Sequence, residues 1–304
     1  MEAGARARRV PVGIAWLQAM RAIAGDYVAL TKPRVIALLL LTTVTTMFVA
    51  DPSPRLSAIL LTIIGGYLAA GGAGAINHYV EREIDARMSR TAKRPLPSGR
   101  IEPRSALYFG IALGVVSFAV FALGVNMTAA LLAMSGLLGY VFVYTLWLKP
   151  ATSQNIVIGG AAGAVPPLVG WAAAAGHLDA SAFYLFAIVF YWTPPHFWAL
   201  ALLIKDEYAK TGIPMLPVVD GEAETRRQIL LYGWLLLPVT ALPLAGGLFG
   251  GVYAVAAAVL DALFLYLCVR LYRRADRSSA AILFHYSLAY LALLFAAMAI
   301  DRLV

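Results

Sequence analysis

The sequence contains little charge for its length. Of its 304 residues, 13% are Asp, Glu, Lys or Arg, whereas 61% are hydrophobic. An average soluble domain carries roughly 25% charged residues. The composition therefore excludes an ordinary soluble globular domain and indicates a protein whose surface largely faces lipid.

Cysteine is almost absent. The chain has one cysteine, Cys268, which falls inside a long apolar stretch. A single thiol excludes a disulfide framework and a cysteine-based metal cluster. We expect Cys268 to serve packing.

Long apolar stretches recur along almost the whole chain. A hydrocarbon core about 30 Å thick requires roughly 20 apolar residues per helix. The stretches, separated by charged residues or by Pro and Gly clusters, predict nine spans: 34–50, 57–77, 105–124, 127–147, 155–175, 181–204, 228–250, 251–273 and 279–300. The sequence thus predicts an all-α, polytopic membrane protein with a single domain over residues 1–304. Arg21 and Asp26 interrupt the first apolar stretch, so we expect residues 1–33 to form an interfacial segment and not a cleaved leader.

The basic residues are distributed unevenly along the chain. A net charge of +8 is compatible on its own with nucleic-acid binding. However, all but two of the 24 Lys and Arg residues fall on one side of a nine-span arrangement, and the exceptions are Arg55 and Arg302. The positive-inside rule places the basic side in the cytoplasm, with the N-terminus inside and the C-terminus outside. The basicity therefore indicates topology and not nucleic-acid binding, and the short N-terminus favours a bacterial plasma membrane.

A regular acidic motif follows the second span. Asn77, Glu81 and Asp85 recur at every fourth residue, so on a helix they lie within a stripe about 80° wide and about 12 Å long. Mg²⁺ takes carboxylate and amide oxygens, usually together with waters and substrate phosphates. The motif predicts a magnesium site, and the alternative is the charged end of an interfacial helix.

A second acidic pair, Asp206 and Glu207, ends the sixth span on the same side. Two acidic clusters that face each other would hold metal ions between them, with a diphosphate bridging the metals. Stabilising the charge that develops on a leaving group is usually the largest catalytic contribution. The cations that we expect to neutralise the phosphate oxygens are Lys93, Arg94, Lys149 and Lys205. For each of these cations alone, the positive-inside rule is an equally good explanation. Together with the acids, they predict metal-dependent diphosphate chemistry.

With these motifs the sequence resembles the UbiA-type intramembrane prenyltransferases. The segments NHYVEREIDARMSRTAKRPLPSG, YTLWLKPATSQNIVIGGAAGAVPPLVGW and TPPHFWALALLIKDEYAKTGIPMLPVV are similar to those of the branch that farnesylates haem b. The resemblance covers roughly residues 26–300. It implies a nine-helix bundle around a lipid-open cavity, and Mg²⁺-dependent transfer of farnesyl from farnesyl diphosphate to a vinyl group of haem b.

The resemblance also implies roles for individual residues. It makes the two acidic motifs the catalytic metal ligands, with Glu81 in place of the usual aspartate. The family's spaced second motif would need an acid four residues after Asp206, where this chain has Lys210. Which acid of the pair contacts metal is therefore left open. We expect three further side chains at the mouth of the cavity: Tyr144, Asn155 and Tyr208.

His196 lies within the sixth span, and an ionisable residue at membrane depth is a functional hypothesis by default. If one helix continues to Glu207, His196 lies near the same face about 16 Å away. It would then ligate haem iron or hydrogen-bond a haem propionate. The alternative is a structural histidine satisfied by a carbonyl of a neighbouring helix.

Two other functions fit parts of the sequence. A UbiA-type prenyltransferase with another aromatic or chlorin acceptor would use the same diphosphate machinery. An ion-coupled transporter would relay ions through His196 and Asp261, although an odd number of spans without an evident internal repeat is unusual for transporters. A downstream haem-modifying enzyme is a further candidate partner.

Overall fold

The computed structural model describes residues 12–304, and within that range the chain contains helices and no strand. The predicted N-terminal segment falls partly outside the described residues, at 1–11. The helices in chain order are α1 (Val12–Thr31), α2 (Pro33–Ala50), α3 (Leu56–Val80), α4 (Arg82–Arg87), α5 (Pro103–Gly124), α6 (Met127–Leu138), α7 (Lys149–Ala151), α8 (Asn155–Gly163), α9 (Val165–Ala175), α10 (Ala180–Leu203), α11 (Lys205–Thr211), α12 (Leu216–Val219), α13 (Gly221–Ala245), α14 (Gly251–Arg274) and α15 (Arg277–Leu303). A π-helical segment, Gly139–Leu148, joins α6 to α7.

Nine stretches of the described chain are long and apolar enough to cross a membrane. They are α2, α3, α5, the continuous stretch Met127–Ala151, the stretch Asn155–Ala175, α10, α13, α14 and α15. The predicted count and order of the spans are confirmed. This is a multi-pass membrane protein.

The seventh span differs most from its prediction. It was expected at residues 228–250, whereas α13 begins at Gly221 and ends at Ala245. Its first turn carries Glu222 and Glu224, and acidic side chains stabilise the N-terminal end of a helix, so the helix extends beyond its apolar part. Gly247 then adopts φ 69 in the loop before α14.

Close contact between α3 and α5 positions the helix that carries the first acidic motif. A Cβ added to Gly72 would lie 2.7 Å from the carbonyl oxygen of Gly110, and one added to Gly110 would lie 2.9 Å from that of Gly72. The two backbones therefore touch where neither residue has a side chain. Small residues are the usual route to tight helix packing in lipid.

The other half of the bundle is built around α10. This helix packs against α13 and α15, and α15 in turn packs against α2. α10 contains Pro194 and Pro195. It ends at Leu203, because Ile204 leaves helical geometry with φ −125 and ψ 24.

Candidate active site

The first acidic motif lies across the junction of α3 and α4. Glu81 separates the two helices with φ −91 and ψ 7. Its backbone N–H still donates to the carbonyl of Asn77 at 2.9 Å, and the N–H of Asp85 donates to that of Glu81 at 2.7 Å. The predicted i, i+4 spacing is therefore kept across the junction. All three side chains are buried, with exposed fractions of 2%, 6% and 2% in chain order.

Two of the predicted cations contact the motif carboxylates. The ammonium of Lys149 donates a hydrogen bond to Oε1 of Glu81. Nη1 of Arg94 donates to Oδ2 of Asp85 at 2.7 Å. Burial raises the pKa of Glu81, but the attraction and hydrogen bond of Lys149 outweigh it, so the pKa lies below its ordinary value. Glu81 is thus a charged carboxylate in an enclosed position.

Lys32 completes this arrangement and was not expected from the sequence. It lies between α1 and α2 with φ 59 and ψ 57, a left-handed conformation that residues other than glycine rarely adopt. Its Nζ donates to Oδ1 of Asn77 at 2.7 Å. Burial lowers the pKa of Lys32 to about 8, against the opposing attraction of Glu81. The signal in the sequence was the Lys–Pro pair, because the residue before Pro33 is disfavoured in a helix.

The π-helical segment runs alongside the motif. Nδ2 of Asn77 donates to Oγ1 of Thr145 at 3.2 Å. Four residues further along each of the two segments, Lys149 contacts Glu81 in the same way. π-helical turns are rare and often lie at functional sites. On the neighbouring α8, a Cβ at Gly159 would lie 2.3 Å from Cδ2 of Tyr144, so only glycine fits there.

The second acidic pair meets the first loop through Ser89. The carboxylate of Glu207 accepts hydrogen bonds from the backbone N–H and the hydroxyl of Ser89, both at 2.7 Å. The hydroxyl bond of Ser89 is the main reason that the pKa of Glu207 lies below its ordinary value. Asp206 is exposed, and in residues 12–304 no side-chain hydrogen bond or ion pair engages its carboxylate. The two acids of the pair therefore have different surroundings.

The other two predicted cations do not contact the motif. Lys205 forms an ion pair with Glu222 at the start of α13. Lys93 is exposed, and its backbone carbonyl accepts a hydrogen bond from Arg100 at 3.3 Å. The structure brings Arg94 and Lys149 to the motif and adds Lys32.

An apolar cavity of about 230 Å³ begins beside this cluster. Lys32 and Tyr140 line it at the polar end, and Thr43 and Gly66 line it deeper in the membrane. Thr43 follows Lys32 by eleven residues and Gly66 precedes Asn77 by eleven, a depth of about 16 Å along helix axes. The cavity is therefore a mostly apolar space with one cation, Lys32, at its polar end.

The three side chains expected at the mouth are buried, and Tyr140 is the aromatic residue that lines the cavity. Tyr144 and Tyr140 are in contact, with ring centroids 5.5 Å apart. Tyr208 packs in the main core, 5% exposed, and burial raises its pKa to about 12. Asn155 is fully buried and donates to the carbonyl of Thr152 at 2.6 Å.

His196 has a side-chain partner on another span. Its Nδ1 lies 2.7 Å from Oγ of Ser287 on α15. The ring is stacked between Trp192 and Phe284, with centroid distances of 4.4 and 5.0 Å. The expectation of one continuous helix from His196 to Glu207 is wrong, because the backbone leaves helical geometry at residue 204.

Asp261 finds polar neighbours inside the bundle. Its carboxylate accepts hydrogen bonds from Thr240 on α13 and Tyr290 on α15, both at 2.6 Å. Buried polar groups are normally satisfied in this way. The bonds tie three spans together.

The donor set fits Mg²⁺ that arrives with a phosphate ligand. Among residues 12–304, no three His, Cys, Asp or Glu side chains converge as a preformed metal site. The motif instead offers two carboxylates and one amide oxygen, and Mg²⁺ typically takes one or two carboxylates with waters and substrate phosphates. A cationic group already lies against each of Asn77, Glu81 and Asp85. Positive charge is therefore accommodated at all three positions.

Comparison with known proteins places this architecture in a family. The sequence profile of the UbiA prenyltransferase family matches residues 39–296. A protoheme IX farnesyltransferase of Roseiflexus sp. (strain RS-1) is 54% identical over 92% of the chain, and the chain spans 52% of that relative. The corresponding protein of Gloeobacter violaceus is 51% identical, with 93% of the chain and 94% of the relative covered.

The fold is also shared with solved structures. A UbiA homolog from Archaeoglobus fulgidus bound to GPP and Mg²⁺ superposes with a TM-score of 0.67 at 17% identity, covering 90% of this chain and 99% of that one.

The chain spans about half the length of the first curated relatives, 52% in the Roseiflexus protein, and nearly all of the Gloeobacter relative, 94%. From the profile match, the sequence identity and the shared helical bundle, the chain belongs to the UbiA prenyltransferase family.

Proposed function

We propose that the protein transfers the farnesyl group of farnesyl diphosphate to a vinyl group of haem b. The observation that carries the proposal is the cluster in which three half-buried cations contact three buried oxygen-bearing side chains, beside an apolar cavity that one of the cations, Lys32, lines. Relatives of about half-identical sequence are named protoheme IX farnesyltransferases. The cluster fits a diphosphate, and the cavity fits a prenyl chain.

The diphosphate end of the substrate is assigned to the cation cluster. Lys32, Arg94 and Lys149 exchange their contacts with the motif for contacts with phosphate oxygens. The motif side chains Asn77, Glu81 and Asp85 would hold Mg²⁺, with Asp206 and Glu207 as further candidate ligands. When bound, Mg²⁺ supplies positive charge that favours departure of the diphosphate. Lys93 and Lys205 remain candidates for the outer edge of the same site.

The prenyl chain is assigned to the cavity that begins at Lys32 and Tyr140. Apart from Thr31 and Thr43, the other side chains that line it are apolar, so a carbocation formed at the head of the chain is kept from bulk water. Water exclusion also strengthens every charge interaction at the cluster. The protein thus positions the allylic carbon where the leaving group is neutralised.

The proposed reaction requires no oxidant or reductant. The bond between C1 and oxygen of farnesyl diphosphate breaks, and its electron pair leaves with the diphosphate. The π electrons of a haem vinyl group form the new carbon–carbon bond. Water adds to the resulting cation beside the porphyrin and releases a proton.

We assign His196 to the haem, and Tyr144, Asn155 and Tyr208 to the surroundings of the reacting groups.

The proposal includes the arrangement in the membrane. We propose one membrane-embedded domain in a bacterial plasma membrane, with the N-terminus in the cytoplasm and the C-terminus outside, since most basic residues lie on one side of the spans. The active site then faces the cytoplasmic leaflet. A downstream enzyme that modifies the farnesylated haem is the proposed consumer of the product.

The test is product analysis with the full chain in lipid nanodiscs. Purified protein is incubated with Mg²⁺, farnesyl diphosphate and haem b, and the extracted pigment is examined by mass spectrometry. We expect haem that has gained one farnesyl group and one hydroxyl group. Consumption of farnesyl diphosphate with an unchanged pigment would indicate a different acceptor, and absence of Mg²⁺-dependent binding would reject the enzyme.

A further inference from the structure

We propose that Ser287 is a positioning residue that holds His196 with the Nε2 lone pair free to coordinate the haem iron. The inference rests on the proposed function, because it concerns how the haem acceptor is held. His196 lies on α10 and Ser287 on α15, two spans that pack against each other. Their contact joins the two helices inside the membrane.

The position of the histidine proton follows from the donors and acceptors around Ser287. Oγ of Ser287 lies 2.6 Å from the carbonyl oxygen of Phe284, and a carbonyl can only accept. The hydroxyl proton of Ser287 is therefore committed to Phe284. The 2.7 Å contact between Ser287 Oγ and His196 Nδ1 then requires the proton on Nδ1. In neutral imidazole this leaves Nε2 with an unprotonated lone pair.

The ring is held in place on both faces. Trp192 stacks on one face with an interplanar angle of 14°, and Phe284 stacks on the other at 23°. Nε1 of Trp192 also donates to the backbone carbonyl of Ser287 at 2.9 Å, so the same residue anchors the stacking partner. The edge that carries Nε2 is different. In the part of the chain that the structure describes, Nε2 neither has a hydrogen-bond partner nor is fully enclosed.

This arrangement distinguishes the two ways in which His196 would hold haem. A propionate carboxylate only accepts hydrogen bonds, and neutral His196 has no proton on Nε2 to donate. Iron, in contrast, binds the lone pair of a neutral imidazole. Metal-ligating histidines almost always donate their other ring N–H to a fixed acceptor, which sets the tautomer and the ring orientation. Ser287 supplies that acceptor.

The experiment measures haem coordination and not turnover. Full-length protein in lipid nanodiscs is titrated with ferrous haem b, and the iron–histidine stretching band is recorded by resonance Raman spectroscopy. We expect the band in the unmodified protein and its loss in His196→Ala. In Ser287→Ala we expect haem binding about 10- to 100-fold weaker, with a shifted or split band because the tautomer is no longer fixed.

Two further variants separate positioning from general stability. Ser287→Thr keeps the hydroxyl and should restore the band and most of the affinity. Ser117→Ala is the matched control, since Ser117 is also buried and donates across helices to the carbonyl of Gly65 at 2.7 Å. It should leave the band unchanged. Mg²⁺-dependent binding of farnesyl diphosphate to each variant verifies that the bundle is folded.

The outcomes separate this inference from the proposed function. Haem binding without an iron–histidine band, an identical band in Ser287→Ala, or no restoration by Ser287→Thr would overturn the inference and leave the haem acceptor standing. Failure of the unmodified protein to bind haem, while it still binds farnesyl diphosphate with Mg²⁺, would overturn both the inference and the haem acceptor.

Discussion

Nζ of Lys32 lies 2.7 Å from Oδ1 of Asn77, so the break between α1 and α2 reaches the first residue of the acidic motif. Lys32 also lines the polar end of the apolar cavity. The half-buried Lys32 thus contacts the metal-binding candidate Asn77 and also lines the space assigned to the prenyl chain. Its left-handed backbone, with φ 59, is the sort of conformation that persists where the surroundings enforce it and that often marks functional sites.

Replacement of Lys32 by methionine tests this role. Hydrogen bonds to charged groups contribute about 1.5–3 kcal/mol, so Lys32→Met should weaken Mg²⁺-dependent binding of farnesyl diphosphate about tenfold or more. Isothermal titration in nanodiscs measures the change. Arg104→Met is the control, since Arg104 is an exposed cation at the start of α5. If Lys32→Met and the unmodified protein bound farnesyl diphosphate with equal affinity, Lys32 would not contact the diphosphate.

The two motif carboxylates should respond differently to conservative changes. Asp85→Asn removes a charged oxygen ligand and should lower turnover by about 100-fold, a size typical of lost electrostatic stabilisation. Glu81→Asp keeps the charge and should retain measurable Mg²⁺-dependent turnover, whereas Glu81→Gln should not. Initial rates over a Mg²⁺ titration give the comparison. Equal rates in Glu81→Asp and Glu81→Gln would show that the charge of Glu81 is not required.

The two acids of the second pair should have different roles: Glu207 holds Ser89 in place, and Asp206 is the candidate Mg²⁺ ligand. Glu207 holds Ser89 through two hydrogen bonds of 2.7 Å, so Glu207→Gln and Ser89→Ala should both speed amide hydrogen exchange in residues 86–98. Asp206→Asn should leave this exchange unchanged and raise the Mg²⁺ concentration needed for half-maximal activity. Faster exchange in Asp206→Asn, or no increase in exchange in Glu207→Gln, would contradict these separate roles.

The cavity should set the length of prenyl chain that is accepted. Ala69 lines it eight residues before Asn77, about 12 Å along α3 from the motif. Ala69→Phe should lower the rate with farnesyl diphosphate much more than the rate with geranyl diphosphate, because the added ring fills the deeper part. The matched control is Ala258→Phe, at an exposed position on α14. A uniform loss with both substrates would place the prenyl chain elsewhere.

The location of the first motif and two of its cations, Arg94 and Lys149, could be predicted, but the contribution of Lys32 and the pairing of each cation with one motif side chain could not. The spacing of Asn77, Glu81 and Asp85 is a local property of one helical stretch, and the backbone hydrogen bonds of the structure preserve it. Lys32 is 45 residues from Asn77 along the chain, and Lys149 is 68 residues from Glu81. No periodicity within one segment identifies such partners, because their proximity depends on how separate spans pack.

The number of spans, their order and the positions of the acidic motifs between them follow from the sequence alone. These follow from the length of apolar stretches that lipid requires and from charge that cannot remain in hydrocarbon. The contacts of Lys32 with Asn77, of Glu207 with Ser89 and of Ser287 with His196 depend instead on how the helices pack in three dimensions. Hydrogen bonds between distant spans depend on helix rotation and close approach, and these are set by the packing of the whole bundle.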